Sequence, residues 1–301
     1  MNIRLSVFRK LRTHQIAMAG MMATSLLLIG IPSTQAAESA APKLAVNQEA
    51  INLLPDSVKA QKVLRIAMPT NEPPTQYYEP GTERMTGINP DIARLIGQAL
   101  GMEVEIKVAT FDTLIPGLAA GKYDMAVASM TPTATRMKVL DFVDYLLVGE
   151  DIVVPKGNPQ AISHTTLCGK RVAVLTGGYQ LTVEVPQFNK KCVADGKDEI
   201  KVSTFQETRQ AIGALTSGRQ DAVWADAPIL DLAVKQIPEI EVGDAFNFEP
   251  VGVGMSKDSG LLKATAAAVA HVIKSPEYMA VLDKYGVKSS AITDARVNFA
   301  Q

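Results

Sequence analysis

Ala126-Val127-Ala128-Ser129-Met130-Thr131-Pro132-Thr133-Ala134-Thr135-Arg136, running on to Asp141-Phe142-Val143-Asp144-Tyr145, is the stretch on which the fold turns. The apolar run from Met125 to Ala128 has strand character and ends at a proline-containing turn. From Pro132 the chain reads as the first turn of a short helix, since proline suits the first helical position. A strand end, two hydroxyl residues (Ser129 and Thr131) and a nearby helix start suit an anion. Arg136 adds a planar fork able to grip a carboxylate through two parallel hydrogen bonds. A surface turn with a solvated arginine is the competing reading.

Outward from this stretch, the chain repeats one rhythm. Upstream, Val63 to Ala67 is a strand. Thr70 to Gly87 is a long loop with Pro73-Pro74 and Pro80-Gly81, expected to return as a small hairpin. Asp91 to Leu100 carries a helical apolar stripe stopped by Gly101, Val104 to Val108 is a strand, and Phe111 to Ala120 is a helix ended by Gly121. Tyr123 to Ser129 is the next strand. Strands alternating with helices predict a parallel α/β sheet.

Downstream, the rhythm restarts after Asn158-Pro159. Arg171 to Leu175 is a strand, Gly177-Gly178 opens a helix, and Ile200 to Thr204 is a strand. Phe205 to Ser217 is a helix and Ala222 to Ala225 a strand. Two lobes of similar build are expected, with no residue-level repeat evident between them. Asp151 to Pro155 and Val251 to Met255 are apolar runs placed to cross between lobes. Gly260 to Ile273 and Pro276 to Tyr285 are helices that return to the first lobe, so two strands would form a hinge.

The N-terminus reads as a targeting segment. Arg4, Arg9, Lys10 and Arg12 precede an apolar stretch from Ile16 to Ile31, and small residues around Ala36 suit cleavage. An uncleaved anchor competes, but the core is shorter than the roughly 20 apolar residues that span a bilayer. No cysteine lies near the cleavage region, which argues against a lipid anchor. Without residues 1–36 the chain has 26 basic and 31 acidic residues, so its formal charge moves from −1 to −5. That balance gives no sign of nucleic-acid binding. Cys168 and Cys192 are the two cysteines, and an oxidising compartment makes a disulfide the expectation over two buried thiols. With three histidines, one of them in the leader, a structural metal site is not expected.

The landmarks Gly87 to Asp91, Ala120-Gly121-Lys122-Tyr123-Asp124, Thr131 to Arg136, Asp141-Phe142 with Tyr145, Gly218-Arg219-Gln220-Asp221-Ala222 and Asp226 follow in order over roughly residues 60 to 290. In this order and spacing the chain resembles the extracellular solute-binding proteins, family 3, that serve ABC importers of polar amino acids. The resemblance implies an α/β, two-lobed, type II periplasmic-binding-protein fold with two hinge crossings. The expected division is a signal peptide at 1–36, a mobile segment at 37–61, a first lobe of 62–151 plus 254–290, a second lobe of 156–248, and a tail at 291–301.

The resemblance also implies that Arg136 holds a ligand carboxylate, helped by Thr131 and backbone N–H groups of the Ser129-Met130-Thr131 strand end. Asp226 would hold the α-ammonium together with groups near Ser129. A helix cap ahead of Pro228 is the competing role for Asp226. Gly177-Gly178 would lend free N–H groups to the carboxylate. The family's hydroxyl residues are replaced there by Gly178 and Tyr179, so Tyr179 either reaches the ligand side chain or faces solvent.

Glu72 stands where many relatives place an aromatic residue. It would pair with a cationic ligand side chain or be a solvated loop acid. Phe111 would line the pocket or belong to the core, and Trp224 is expected in the core. The implied protein is a periplasmic, monomeric, non-enzymatic carrier with no cofactor. It delivers a polar or basic amino acid to an ABC permease and its ATPase. A cyclohexadienyl dehydratase-like enzyme, with Glu72 or Glu184 as its acid, and a ligand sensor for a membrane receptor are the alternatives.

Overall fold

The computed structural model describes residues 43–243 and 245–299. The expected signal peptide at 1–36 lies outside them. Within the N-terminal segment, where the sequence predicts a short packed helix over Ile51 to Ala60, two short helices stand, α1 (Gln48–Asn52) and α2 (Asp56–Gln61). Ala50, Leu54 and Val58 are buried, and the Asn47 N–H donates to the Ala99 carbonyl at 2.8 Å. Apolar spacing too short to signal a free helix is enough for one that docks.

β1 (Val63–Met68) leads through the two-stranded hairpin β2 (Tyr77–Tyr78) and β3 (Met85–Thr86) into α3 (Ile88–Ala99) and β4 (Glu103–Val108). Gly87 caps α3 at φ 125°, and a Cβ there would lie 2.5 Å from the Thr75 carbonyl oxygen, so only glycine fits. A single turn at Phe111–Thr113 and α4 (Leu114–Ala119) precede β5 (Met125–Met130). β1 pairs in parallel with both β4 and β5.

The long strand β6 (Leu140–Pro155) then leaves the first lobe. The second lobe holds β7 (Arg171–Leu175), a π-helical turn at Gln180–Glu184, α5 (Val185–Ala194) and β8 (Lys201–Phe205). It continues with α6 (Thr208–Thr216), β9 (Ala222–Asp226), α7 (Ala227–Gln236) and β10 (Ile240–Val242). β11 (Phe246–Ser256) runs back antiparallel to β6, and α8 (Leu262–Ile273) and α9 (Pro276–Lys284) pack onto the first core. The strand order is β4-β1-β5-β11-β6-β9-β7-β8, with β10 beside β6. β6 and β11 therefore belong to both halves. Among the described residues no helix is long and apolar enough to cross a membrane.

The crossing falls earlier on β6 than the apolar run suggested. Val148 packs in the first core and Ile152 in the second, so residues 149–151 make the passage and Ile152 already belongs to the second lobe. On β11, Phe246 packs against the second core and Val251 in the first, which places the return before the run that begins at Val251. An apolar run marks burial on both faces of a strand and is blind to which core does the burying.

The two lobes also share a short repeat that their sequences do not advertise. Arg65, the third residue of β1, grips Asp124, its backbone N–H and Nη2 reaching the carboxylate at 2.8 and 2.7 Å. Arg171 opens β7 and grips Asp221 in the same way, at 2.8 and 2.6 Å. Asp124 and Asp221 each end a Gly-x-x-Asp tetrad ahead of the third strand of their lobe. Each clamp fastens the base of a parallel sheet, and the Arg171 guanidinium holds the Asp221 carboxyl well below the usual carboxylate range. The C-terminal residues fasten to β6. The Asp144 N–H donates to the Arg296 carbonyl at 2.9 Å, and the Asn298 N–H to that of Phe142 at 3.0 Å.

Candidate functional site between the lobes

Arg136 reaches from the turn after β5 toward the second lobe. Its Nη1 donates to the Thr131 carbonyl at 2.8 Å and its Nη2 to the Gly177 carbonyl at 2.9 Å. The guanidinium lies 5.5 Å from the centre of the Phe111 ring, and the residue is only 6% exposed. Burial lowers its pKa to about 10, against the favourable field of Asp226. It remains a cation at neutral pH, and two of its five N–H groups are engaged in these bonds. The solvated-arginine reading is therefore contradicted.

Asp226 ends β9 and stands at the N-cap position of α7, yet its side chain makes no capping bond. It accepts instead from Gln180 Nε2 at 3.3 Å. Desolvation raises its carboxyl to about 6, with Gln180 and Arg136 opposing the rise. A guanidinium from one lobe and a carboxylate from the other thus face one gap.

Ser129 closes the far wall. It adopts φ 50°, a left-handed conformation uncommon for a side-chain-bearing residue. Its N–H donates to the Tyr145 hydroxyl at 2.9 Å, and its Oγ accepts from Asn89 Nδ2 at 3.1 Å. Tyr145 in turn donates to Asn89 Oδ1 at 2.6 Å. This triangle holds the strand end open as a turn. Thr131 contributes its carbonyl to Arg136 in this arrangement, not its hydroxyl. Met130 is fully buried in the first core, and Phe111 both joins that core and floors the guanidinium.

In the second lobe one expectation needs correction and one open choice narrows. The Gly178 N–H already donates to the Leu175 carbonyl at 3.0 Å, so it is not a free group for a carboxylate. Tyr179 is half-buried and its hydroxyl meets Glu184 and Glu249, which turns it away from solvent. Trp224 is core: it is 1% exposed and donates to Glu150 Oε2 at 2.6 Å. Burial beside Glu184 and Asp226 raises the Glu150 carboxyl to about 8.

Gly177 is the glycine whose conformation matters. At φ 76° it brings its backbone against the first lobe, where a Cβ would lie 3.2 Å from Asp112 Cα. Gly177→Ala is expected to strain both the turn and the closed contact, weakening ligand affinity about tenfold, roughly 1.4 kcal/mol. Titration calorimetry against the wild type measures this.

Glu72 is not a solvated acid. It is 2% exposed, and its Oε1 accepts from the Thr208 backbone N–H across the gap at 2.6 Å. Beside it, Asn71 Nδ2 donates to Glu207 Oε1 at 2.9 Å. The residues given no site role from the sequence are Gln180, Asn89, Tyr145 and Glu150, although Tyr145 and the Gly87 to Asp91 stretch were among its landmarks. Each is a polar group in an otherwise ordinary strand, helix or turn, and its role arises only from cross-chain pairing.

Comparison with known proteins places this geometry. The profile of the bacterial extracellular solute-binding proteins, family 3, matches residues 64–288. The arginine-binding protein ArgT of Corynebacterium glutamicum is 26% identical over 248 residues, covering 82% of this chain and 81% of its own. An ancestral arginine-binding protein solved with arginine superposes with a TM-score of 0.67 at 34% identity, over 74% of this chain and 98% of its own. The ancestral amino acid-binding protein AncCDT-1, described as a precursor of cyclohexadienyl dehydratase, superposes with a TM-score of 0.66 at 28% identity, over 78% and 99%. The chain belongs to the bacterial extracellular solute-binding proteins, family 3.

Proposed function

We propose that this protein captures a basic amino acid between its lobes in the periplasm and delivers it, as a monomer, to an ABC permease driven by an ATPase. The observation that carries this reading is the pair formed by Arg136 and Asp226, desolvated and brought from opposite lobes to one gap. A zwitterion needs a fixed cation and a fixed anion a few ångströms apart, and each is worth more away from water. The α-carboxylate takes the free donors of Arg136, and the α-ammonium takes Asp226. Charge counting supports the basic side chain. Once the zwitterion is matched, the buried acid Glu72 still calls for a positive partner. The arginine-binding relatives point the same way. Ligand contact with both lobes favours the closed form, which is how binding becomes a signal to a permease.

A thermal-shift screen over the common amino acids tests the class, since a ligand that binds the native state raises the melting temperature. Arginine, lysine or ornithine is expected to give the largest rise. Asp226→Asn is expected to weaken binding about a hundredfold, roughly 2.8 kcal/mol, because a neutral amide replaces the partner of the ammonium. Affinity also falls as pH drops below about 6. The sign follows from the unliganded carboxyl being raised to about 6: below that pH it is protonated and must ionise before it can hold an ammonium. Calorimetry from pH 4.5 to pH 8 reads this slope.

A dehydratase is the second reading. Of the acids the sequence offered, Glu72 lies across the gap from Thr208 and is raised to about 7, which gives it part of the protonation a general acid needs. Incubation with prephenate or arogenate decides it, and no aromatic product is expected.

A further inference from the structure

We propose that Glu72 is a two-ended latch: one carboxylate oxygen holds the first turn of α6 across the cleft while the other receives the positive group of the ligand side chain, so that closure responds to ligand charge. This rests on the reading of the protein as a basic amino-acid carrier.

The geometry has three parts. Glu72 sits in the loop after β1, in the first lobe, and its Oε1 accepts the Thr208 N–H that opens α6, in the second lobe. That N–H is one of the donors a helix start leaves unpaired, and α6 has nine residues, so it presents a formed helix end. The same carboxylate's Oε2 is buried and has no hydrogen-bond partner. A buried oxygen of this kind needs a donor.

The charges that face Glu72 are both acidic: Asp226 at the end of β9 and Glu207 just before α6. Arg209 on α6 is paired with Glu207. Burial, opposed by the hydrogen bonds of the Thr208 backbone and side chain and reinforced by these two acids, raises the Glu72 carboxyl to about 7. Without a ligand, the latch is therefore only part charged at neutral pH, and its hold on the helix end is weakened accordingly. An ammonium or guanidinium at Oε2 drives it to the carboxylate and strengthens the bond to Thr208. A neutral side chain leaves it half-charged. Glu72 acts here as a positioning residue, tying the chemistry of the side-chain end to the position of the opposite lobe.

The test uses L-arginine as probe, with calorimetry in buffers of different protonation enthalpy at pH 7 and a distance between labels placed across the cleft mouth. Wild type is expected to close and to release about half a proton per arginine, since Glu72 is about half protonated at that pH. Glu72→Gln keeps a carbonyl for Thr208 but carries no charge. At saturation it is expected to reach a distance between those of wild type and Glu72→Ala, to bind arginine about thirtyfold more weakly, and to lose most of the proton release. Glu72→Ala removes both ends and is expected to stop short of the wild-type closed distance even when saturated. If both variants close and release protons as wild type does, the latch is wrong and amino-acid capture stands. If wild type binds other amino acids but not arginine, the basic-ligand reading and the latch fall together.

Discussion

Arg136→Ala is expected to lower amino-acid affinity about a thousandfold while leaving the fold intact. Truncating one partner of a buried, hydrogen-bonded charge pair costs about 2–5 kcal/mol, and a thousandfold loss is about 4 kcal/mol. The upper half of that range applies because three consequences coincide. The ligand carboxylate loses a two-pronged partner. The Gly177 carbonyl loses its donor from the first lobe, and Asp226 loses the cation that offsets its desolvation. Stability is expected to fall by less than affinity, because the desolvation cost of the guanidinium is removed with it and the Asp226 carboxyl, already raised to about 6, takes up a proton once its cation is gone. Calorimetry gives the affinity, and thermal unfolding without ligand gives the control. Arg136→Lys is expected to recover only part of the loss, since a point charge cannot span two carboxylate oxygens.

The largest effect on stability is expected at the disulfide. Cys168 and Cys192 are bonded across a sequence separation of 24, tying the segment before β7 to α5. The chain-entropy relation for a loop of this size gives about 3.5 kcal/mol. At about two to four degrees per kcal/mol for a chain of this length, the Cys168→Ser, Cys192→Ser double variant melts about 10 °C lower. Cys192 is wholly buried, and its helix carries Phe188 edge-on to Trp224, with ring centres 6.2 Å apart. The loss therefore falls on the second core. Differential scanning calorimetry of the variant and of reduced wild type checks the value. Arginine affinity below the new melting range is expected to be nearly unchanged, because the bond lies outside the residues that face the ligand gap.

Much of the fold could be read directly from the sequence because its strands and helices announce themselves locally. The stretch from Met125 to Arg136 identified a strand end and a turn, but the helix expected to start at Pro132 is absent: residues 131–135 are irregular and only a single 3-10 turn, Arg136–Lys138, follows. Asp226 was legible as a strand-end acid. What was hidden depends on pairing across distance. The Gly178 N–H looked free because its acceptor, the Leu175 carbonyl, is supplied by the turn itself. Glu72 looked solvated because loops with paired prolines usually are; the second lobe buries it. The twin clamps at Arg65–Asp124 and Arg171–Asp221 escaped because four residues of weak similarity say nothing until the two arginines are seen in equivalent register, each one residue before the pairing with the strand after its aspartate. Gln180, which holds Asp226 in place, had no periodic signal at all.

The central claim is that one zwitterion is held between a guanidinium of the first lobe and a carboxylate of the second. A crystal structure of the arginine complex measures it most directly. The account predicts the α-carboxylate on Arg136 and the α-ammonium on Asp226, both within hydrogen-bond reach. A ligand seated elsewhere, or with those two side chains turned out of the gap, would contradict it.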